Sequence, residues 1–338
     1  MSVLIVGGAG YIGSHTAKLV AQAGLLPVVL DSLVSGHRWA VQWGPLVEGE
    51  LEDRGFIGRV LAEHHVESVI HLAACASAGE SLANPRKYFR NNVVCTLNLL
   101  DAMVDHGVRD IVFSSTCATY GSPETLPIPE AHIQRPNSPY GESKLAVERM
   151  LRWYQDAYPL RCAALRYFNA AGADPDGELG EDHTPETHLV PLAIEAVLGR
   201  RPAIEIFGTD YPTPDGTAVR DYVHVSDLAA AHVLALEHLA RGATSMELNL
   251  GTGIGHSVRD VLSTVEKVSG RRVPAKDARR RDGDPPILIA DPRHAARVLG
   301  WAPKLSDLET IVRHAYDWHK GRAASSNSGP MIASERPD

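Results

Sequence analysis

Short apolar runs alternate with longer amphipathic stretches through the first half of the chain, and this alternation predicts strands and helices in turn. Residues 3–6 (Val-Leu-Ile-Val) are apolar without interruption, as in a strand covered on both faces. Glycines 7, 8 and 10 break the run, and Ile12, Ala17, Leu19 and Val20 then recur at helical spacing. Residues 27–30 form a second strand, 46–47 a short third, 56–65 a helix, and 68–72 a buried strand. A long helix follows from Pro85 to about residue 106, then a strand at 110–115, a helix at 140–158 and a strand at 160–167. Strictly alternating strands and helices call for an α/β fold, a doubly wound parallel sheet with helices on both faces.

The pattern changes at Asn169. Residues 174–187 are rich in glycine, proline and acid, and 208–216 are turn formers. Between and after them lie a helix at 189–199, residues 220–225 leading into a helix at 226–238, a strand at 247–250, and helices at 258–269 and 308–320. We therefore expect a first domain over residues 1–168. Residues 169–321 should form mainly a smaller C-terminal α/β substrate domain, with part of the chain returning to the first, over the carboxyl ends of the sheet where open α/β sheets bind ligands. From Arg322 the chain is small, polar and aperiodic, and a disordered tail is expected over 322–338.

The opening MSVLIVGGAGYIGSH places Gly7, Gly10 and Gly13 between a strand and a helix. That context turns a weak glycine pattern into a Rossmann-type dinucleotide site. Glycine lets the backbone turn sharply and lets a pyrophosphate approach, and the helix N-terminus offers free N–H donors to it. Three glycines alone also fit an ordinary tight turn. Asp31, at the end of the second strand, adds a carboxylate for the adenosine ribose hydroxyls. It would repel a 2′-phosphate, so the cofactor expected is NAD rather than NADP.

Composition narrows the partners. A chain of 338 residues with net charge −8 is a poor ligand for nucleic acid or an anionic membrane. The four cysteines (Cys75, Cys95, Cys117, Cys162) lack C-x-x-C or Cys/His spacing, so reduced thiols, a cytoplasmic location and no metal are expected. No signal peptide is visible, and no apolar stretch approaches membrane-spanning length.

Tyr140-Gly-Glu-Ser-Lys144 sets a tyrosine and a lysine four apart on a predicted helix, hence on one face. Bringing a phenol from about 10 to near neutrality takes about 4 kcal/mol. One ammonium at about 4 Å supplies that order of energy at an effective dielectric near 20. An oxidised nicotinamide adds a second positive charge, so Lys144 is expected to make Tyr140 a general base and to offer its other donors to the nicotinamide ribose. A Tyr/Lys pair at this spacing is also common on a plain helix surface. Here it follows a nucleotide site and a strand ending Ser114-Ser115-Thr116.

With GGAGYIGSH, FSSTCATYG, PYGESK, LRYFNAAGA, FGTDYPTPDGTAVRDYVHVSDLA, NLGTG and RRDGD together, the chain resembles the extended short-chain dehydrogenase/reductases and, among them, the UDP-hexose 4-epimerases. The resemblance spans nearly everything before the tail. It implies a UDP-hexose substrate, UDP-glucose and UDP-galactose being interconverted by oxidation at C4, a 4-keto intermediate and hydride return to its other face. Thr116, Tyr140 and Lys144 would be catalytic. Gly7, Gly10, Tyr11, Ile12, Gly13, Asp31, Ser32, Ser35, Gly36, Glu50, Leu51, Leu72, Ala73, Ala74, Ala76, Asn91, Ser114 and Phe168 would surround NAD together with Tyr140 and Lys144. Asn169, His188, Leu189, Phe207, Arg220, Arg281, Asp284 and Leu288 would hold the nucleotide-sugar with Thr116 and Tyr140. The resemblance also implies a homodimer, paired through the helices at 85–106 and 140–158.

Three positions depart from the family pattern. Ala76 stands where some members have a lysine near the cofactor, and Glu50 where many have aspartate. His188 replaces an asparagine at the UDP pocket, and a neutral, hydrogen-bonding imidazole is expected there. Two relatives of the reaction are disfavoured. The nucleotide-sugar 4,6-dehydratases carry Asp-Glu after the threonine, where this chain has Cys117-Ala118; a catalytically silent NAD-binding module would not keep both Tyr140 and Lys144. A 4-epimerase of another UDP-sugar, N-acetylated or pentose, stays open. Leu288 either gates the sugar pocket or is simply a strand residue.

Overall fold

The computed structural model describes residues 1–281 and 283–327. Its first half runs β1 (Ser2–Val6), α1 (Tyr11–Gln22), β2 (Leu26–Asp31), β3 (Leu46–Glu48), α2 (Arg54–Glu63) and β4 (Val66–His71). It continues with α3 (Ala78–Ala83), α4 (Pro85–Tyr88), α5 (Cys95–Asp105), β5 (Asp110–Thr116), α6 (Pro139–Ala157) and β6 (Arg161–Tyr167). The long helix expected after Pro85 is present, but a π-helical segment at Phe89–Val94 joins α4 to α5. The second half holds β7 (Asn169–Ala171), α7 (Leu189–Val197), β8 (Ile204–Phe207), β9 (Val219–Arg220), β10 (Tyr222–His224), α8 (Val225–Ala240) and β11 (Met246–Leu250). After these come β12 (His256–Ser257), α9 (Val258–Ser269), β13 (Ala275–Ala278), β14 (Ile287–Leu288), α10 (Arg293–Leu299) and α11 (Leu308–Asn327).

Seven strands form one parallel sheet in the order β11-β6-β5-β4-β1-β2-β3. The order reverses at β1, which pairs with β2 on one side and β4 on the other. A crevice opens at such a switch point, outside the strand carboxyl ends. Side-chain alternation along β1 explains why the run is apolar throughout. Leu4 and Val6 join the core beneath α2, α5 and α6, while Val3 and Ile5 join the opposite core with residues of α1 and α8. Both faces are dry, so neither can carry polar residues.

The second half builds a separate apolar cluster from α7, α9 and α11, around Ile194, Val261, Val265 and Ile311. Its strands are short pairs and one three-stranded sheet, β12-β9-β14. The chain does return to the first half: α8 packs against α1, and β11 is the seventh strand of the main sheet. The last helix continues to Asn327, past Arg322 where a disordered tail was expected to begin. Residues 328–338 of that expectation lie outside the described residues.

Candidate active site

The glycine turn is shaped by close approach. Gly7 has φ +82°, and a Cβ there would lie 2.6 Å from the Ala73 nitrogen. A Cβ on Gly13 would lie 2.1 Å from the Gly7 carbonyl oxygen, so only glycine lets α1 sit this near the turn. Gly10 differs: its Cβ would meet nothing nearer than the Gly7 oxygen at 3.4 Å. Packing does not demand glycine at that position, but a ligand resting on the turn would. No side chain caps α1 at Gly10, and its first turn holds no acidic residue. The free N–H groups and positive dipole end of α1 therefore suit a pyrophosphate.

Asp31 anchors this wall from the end of β2. Its Oδ2 accepts from the Ala9 N–H (2.9 Å) and its Oδ1 from the Leu33 N–H (2.8 Å), leaving lone pairs for ribose hydroxyls. Gly36 comes so near that a Cβ would lie 2.9 Å from Asp31 Oδ1. A pocket beside Gly10, Tyr11, Ser14 and Ser35 is walled by His37, Trp39, Gly180, Asp182 and His183. Tyr11 donates its hydroxyl to the Gly172 carbonyl (2.7 Å), tying the turn to the second half of the chain. Ile12 packs against the core beside it.

On the other side of the crevice, the Leu72 and Ala73 N–H groups donate to the Val6 carbonyl (2.8 and 2.9 Å), bending the chain after β4 across the end of β1. Ala74 and the exposed Ala76 continue that loop. Asn92, beside the candidate Asn91, secures it: its side chain accepts from the Cys75 N–H and donates to the Cys75 carbonyl (2.9 and 3.0 Å). Asn91 reaches only the Asn92 side chain (3.0 Å) among the bonds described. Glu50 is exposed, and the Leu51 side chain belongs to the core.

The reactive groups meet at the end of β5. Ser138 caps α6 through the Gly141 N–H (3.3 Å) and Pro139 opens it, which puts Tyr140 in the first turn and Lys144 one turn later. Gly141 allows the approach, since a Cβ would lie 2.6 Å from the Ala118 oxygen. Lys144 is buried, its Nζ 4.9 Å from the Phe113 ring centroid and donating to the Ser114 carbonyl (2.7 Å). Burial pulls its ammonium down to about 7. Burial also pushes the Tyr140 phenol up to about 12, against a hydrogen bond with Thr116 that works to lower it. Among the protein's own groups burial is thus the largest influence on the Tyr140 phenol, and the expected shift toward neutrality counts the positive nicotinamide ring of bound NAD as well as Lys144. One apolar pocket takes water from both side chains and disfavours both charges.

The remaining candidates lie in the second half of the chain. Arg220 forms an ion pair with Asp284, and the Arg281 guanidinium lies over the Phe207 ring at 4.0 Å. Asn169 donates its N–H to the Asp221 carbonyl (2.9 Å), and Leu189 opens α7. Leu288 is both a strand residue, in register with Arg220, and part of a buried cluster with Cys117, Phe168, Tyr120, Ile128 and Ala290. It therefore lies beside the residue that follows Thr116. The neutral imidazole expected at His188 is corrected. Burial opposes its charge, but Glu181 and Glu186 outweigh burial and push it up to about 10.

The model of the NAD-dependent epimerase/dehydratase family matches residues 3–251. The chain belongs to this family. Within it, the UDP-glucose 4-epimerase of Halalkalibacterium halodurans is 48% identical over 320 residues, covering 95% of this chain and 96% of its own. The crystal structure of UDP-glucose 4-epimerase from Brucella ovis in complex with NAD is 52% identical, with a TM-score of 0.92 over 94% of this chain and 97% of that one. The structure of UDP-glucose 4-epimerase from Bifidobacterium longum in complex with NAD+ and UDP is 35% identical, with a TM-score of 0.91 over 96% and 99%.

For a family member, the residues missed by sequence reasoning are mostly those that hold others in place. Asp221 is fully buried and accepts from the Thr252 N–H and hydroxyl, the Gly253 N–H and the Ala290 N–H (2.7–3.2 Å), joining the segments that carry Arg220 and Leu288. Glu148, one turn beyond Lys144, takes a bidentate bond from the buried Arg166 (3.0 and 2.7 Å) and one from Ser115, fixing α6 to β5 and β6. Gly141 inside Tyr-x-x-x-Lys was the readable signal, because a helix-interior glycine is costly unless something must come close. Asp221 and Glu148 gave none, being charges within apolar patterns whose partners are distant in sequence.

Proposed function

We propose that this protein interconverts UDP-glucose and UDP-galactose, using NAD, by oxidising the sugar at C4 and reducing the resulting 4-ketose from its other face. The observation that carries this is the convergence of Thr116, Tyr140 and Lys144 at the end of β5, beside a glycine turn and an uncapped helix N-terminus. Gly7, Gly10, Gly13 and Asp31 would hold NAD, with Lys144 donating to its ribose; bound there, NAD supplies the hydride acceptor and a positively charged ring. Tyr140 receives the O4 proton and Thr116 relays it. Two positive charges near the phenol oppose the burial that otherwise keeps it protonated. Arg220, Arg281, Phe207, Asn169, Asp284 and the 188–189 segment anchor UDP. Binding energy placed there leaves the hexose free to turn over between the two hydride transfers.

Residues 1–168 are the NAD-binding part, and 169–321 mainly the nucleotide-sugar part. A homodimer is supported by exposed apolar side chains at Phe89, Val94, Leu97 and Trp153, along the 85–105 helices and α6. Free cysteines at 75, 95, 117 and 162 support a cytoplasmic setting, and no helix among the described residues is long and apolar enough to cross a membrane. Incubating the purified protein with UDP-galactose, with and without added NAD, tests the reading. UDP-glucose should accumulate with no net NADH formed, and its absence even with NAD present would overturn the proposal.

A further inference from the structure

Just before α7, residues 181–188 read Glu-Asp-His-Thr-Pro-Glu-Thr-His. The segment folds so that Glu181, His183, Glu186 and His188 each bring one ligand-type atom within 4.8 Å of the other three. His183 Nδ1 lies 3.1 Å from Glu181 Oε1 and 3.7 Å from Glu186 Oε2. His188 Nδ1 lies 2.7 Å from Glu181 Oε1 and 3.0 Å from Glu186 Oε1. Both carboxylates are buried, 4% and 5% exposed.

An imidazole Nδ1 carries at most one hydrogen. Four nitrogen–oxygen approaches here share two hydrogens, so ordinary hydrogen bonding fills only half of them. A tetrahedral ion with bonds of about 2.0–2.1 Å sets its ligand atoms about 3.3 Å apart, and the separations of 2.7–3.7 Å bracket that value. Glu181 and Glu186 push the two imidazoles up to about 9 and 10, so a divalent cation would bind by displacing their two Nδ1 protons, and two carboxylates, two neutral imidazoles and one divalent cation keep the same overall charge balance. Glu186 Oε1 also accepts from the Thr187 and His188 N–H groups (2.6 and 2.8 Å), while Oε2 is the oxygen 3.7 Å from His183 Nδ1.

The neighbouring trio Asp174, Asp176 and Glu178 is a useful contrast. There the chain supplies its own cation, with Lys18 Nζ 2.7–2.9 Å from all three carboxylates. The ion pairs of Glu181 and Glu186 among the described residues are with the two histidines instead.

We propose that Glu181, His183, Glu186 and His188 form a four-coordinate site for one divalent cation, Zn2+ by its mixed nitrogen and oxygen donors. The ion fastens a strap across the pyrophosphate side of the crevice. His183 lies edge-on to Tyr11 at 6.2 Å, and Asp182 bonds His37 through its carbonyl (2.7 Å) and Arg322 through its carboxylate (2.8 Å). Because no thiolate takes part, cysteine spacing could not reveal such a site.

Full-length protein stripped with a chelator and re-equilibrated with Zn2+ tests this, with bound metal counted by mass spectrometry. About one Zn2+ per chain should be retained. Co2+ in its place should give the intense visible bands of four-coordinate cobalt. His183→Gln should lower the affinity by about 100-fold or more, since even outer-shell partners are worth 10–100-fold, and should abolish those bands. No retained metal in the wild-type protein overturns the proposal, as does equal retention by folded His183→Gln. If that variant does not fold, the wild-type cobalt spectrum decides, and weak six-coordinate bands overturn the site. The readout is bound metal rather than turnover, so its failure is distinct from failure of the epimerase reading.

Discussion

The two walls of the crevice are made of different material. The wall proposed for the cofactor is largely backbone: Gly7 and Gly13 bring main chain to main chain at distances no Cβ tolerates, Gly36 packs as closely on Ala9 and Asp31, and Gly10 alone has room. The sugar-nucleotide wall is side chain: Arg220 with Asp284, Arg281 on Phe207, and Leu288 in an apolar cluster. A backbone wall is rigid and serves a ligand that never changes. A wall of side chains can be altered one residue at a time, so we propose that substrate range is set there. Tyr140 stands on a helix fixed to β5 and β6 through Lys144, Glu148 and Arg166.

The largest effect is expected at that meeting point. Tyr140→Phe removes the proton acceptor and nothing from either wall, so turnover should fall by roughly 10²–10⁴-fold with UDP affinity kept. Steady-state kinetics together with UDP calorimetry measure both, and near wild-type turnover would remove Tyr140 from its role. Next comes the backbone wall. Gly13→Ala sets a methyl 2.1 Å from the Gly7 oxygen, and overpacking of this kind costs about 1–3 kcal/mol or more. The variant should purify with little NAD and a lowered melting temperature, and unchanged NAD content would show that the wall yields.

On the side-chain wall, UDP-N-acetylgalactosamine should be converted detectably but less well than UDP-galactose, and Leu288→Tyr should remove the first activity and spare the second, a change in selectivity of about ten- to a hundred-fold. An unaltered ratio of the two activities would place Leu288 outside the pocket. The last effect falls on stability and leaves both walls intact. His15, His71, His224 and His232 are buried and held neutral, burial lowering them to about 4, 3, 3 and 4. A depressed pKa contributes stability that is complete above the unfolded value near 6.5 and is lost as pH falls toward the folded one. Unfolding free energy should therefore decline below about pH 6.5, with a slope approaching about 1.4 kcal/mol per pH unit for each histidine. Denaturant titrations between pH 7 and 5 measure it, and a flat profile would contradict the burial.

The sequence by itself determined the doubly wound sheet, the glycine turn with Asp31 and the Tyr140–Lys144 pair, because each depends on neighbours within a strand or a helical turn. Apolar periodicity and glycine placement are local, and local physics is legible in a string of residues. Tertiary structure decided what depends on distant partners. Burial is what pushes the Tyr140 phenol up, and two glutamates push the His188 imidazole up to about 10, where a neutral donor was expected. Asp221 holds together segments from β9 to residue 290 that no spacing rule connects. Leu288 became a neighbour of Cys117 only when β14 paired with β9. Desolvation and long-range electrostatics sum over everything packed around a group, and only the folded chain specifies that surrounding.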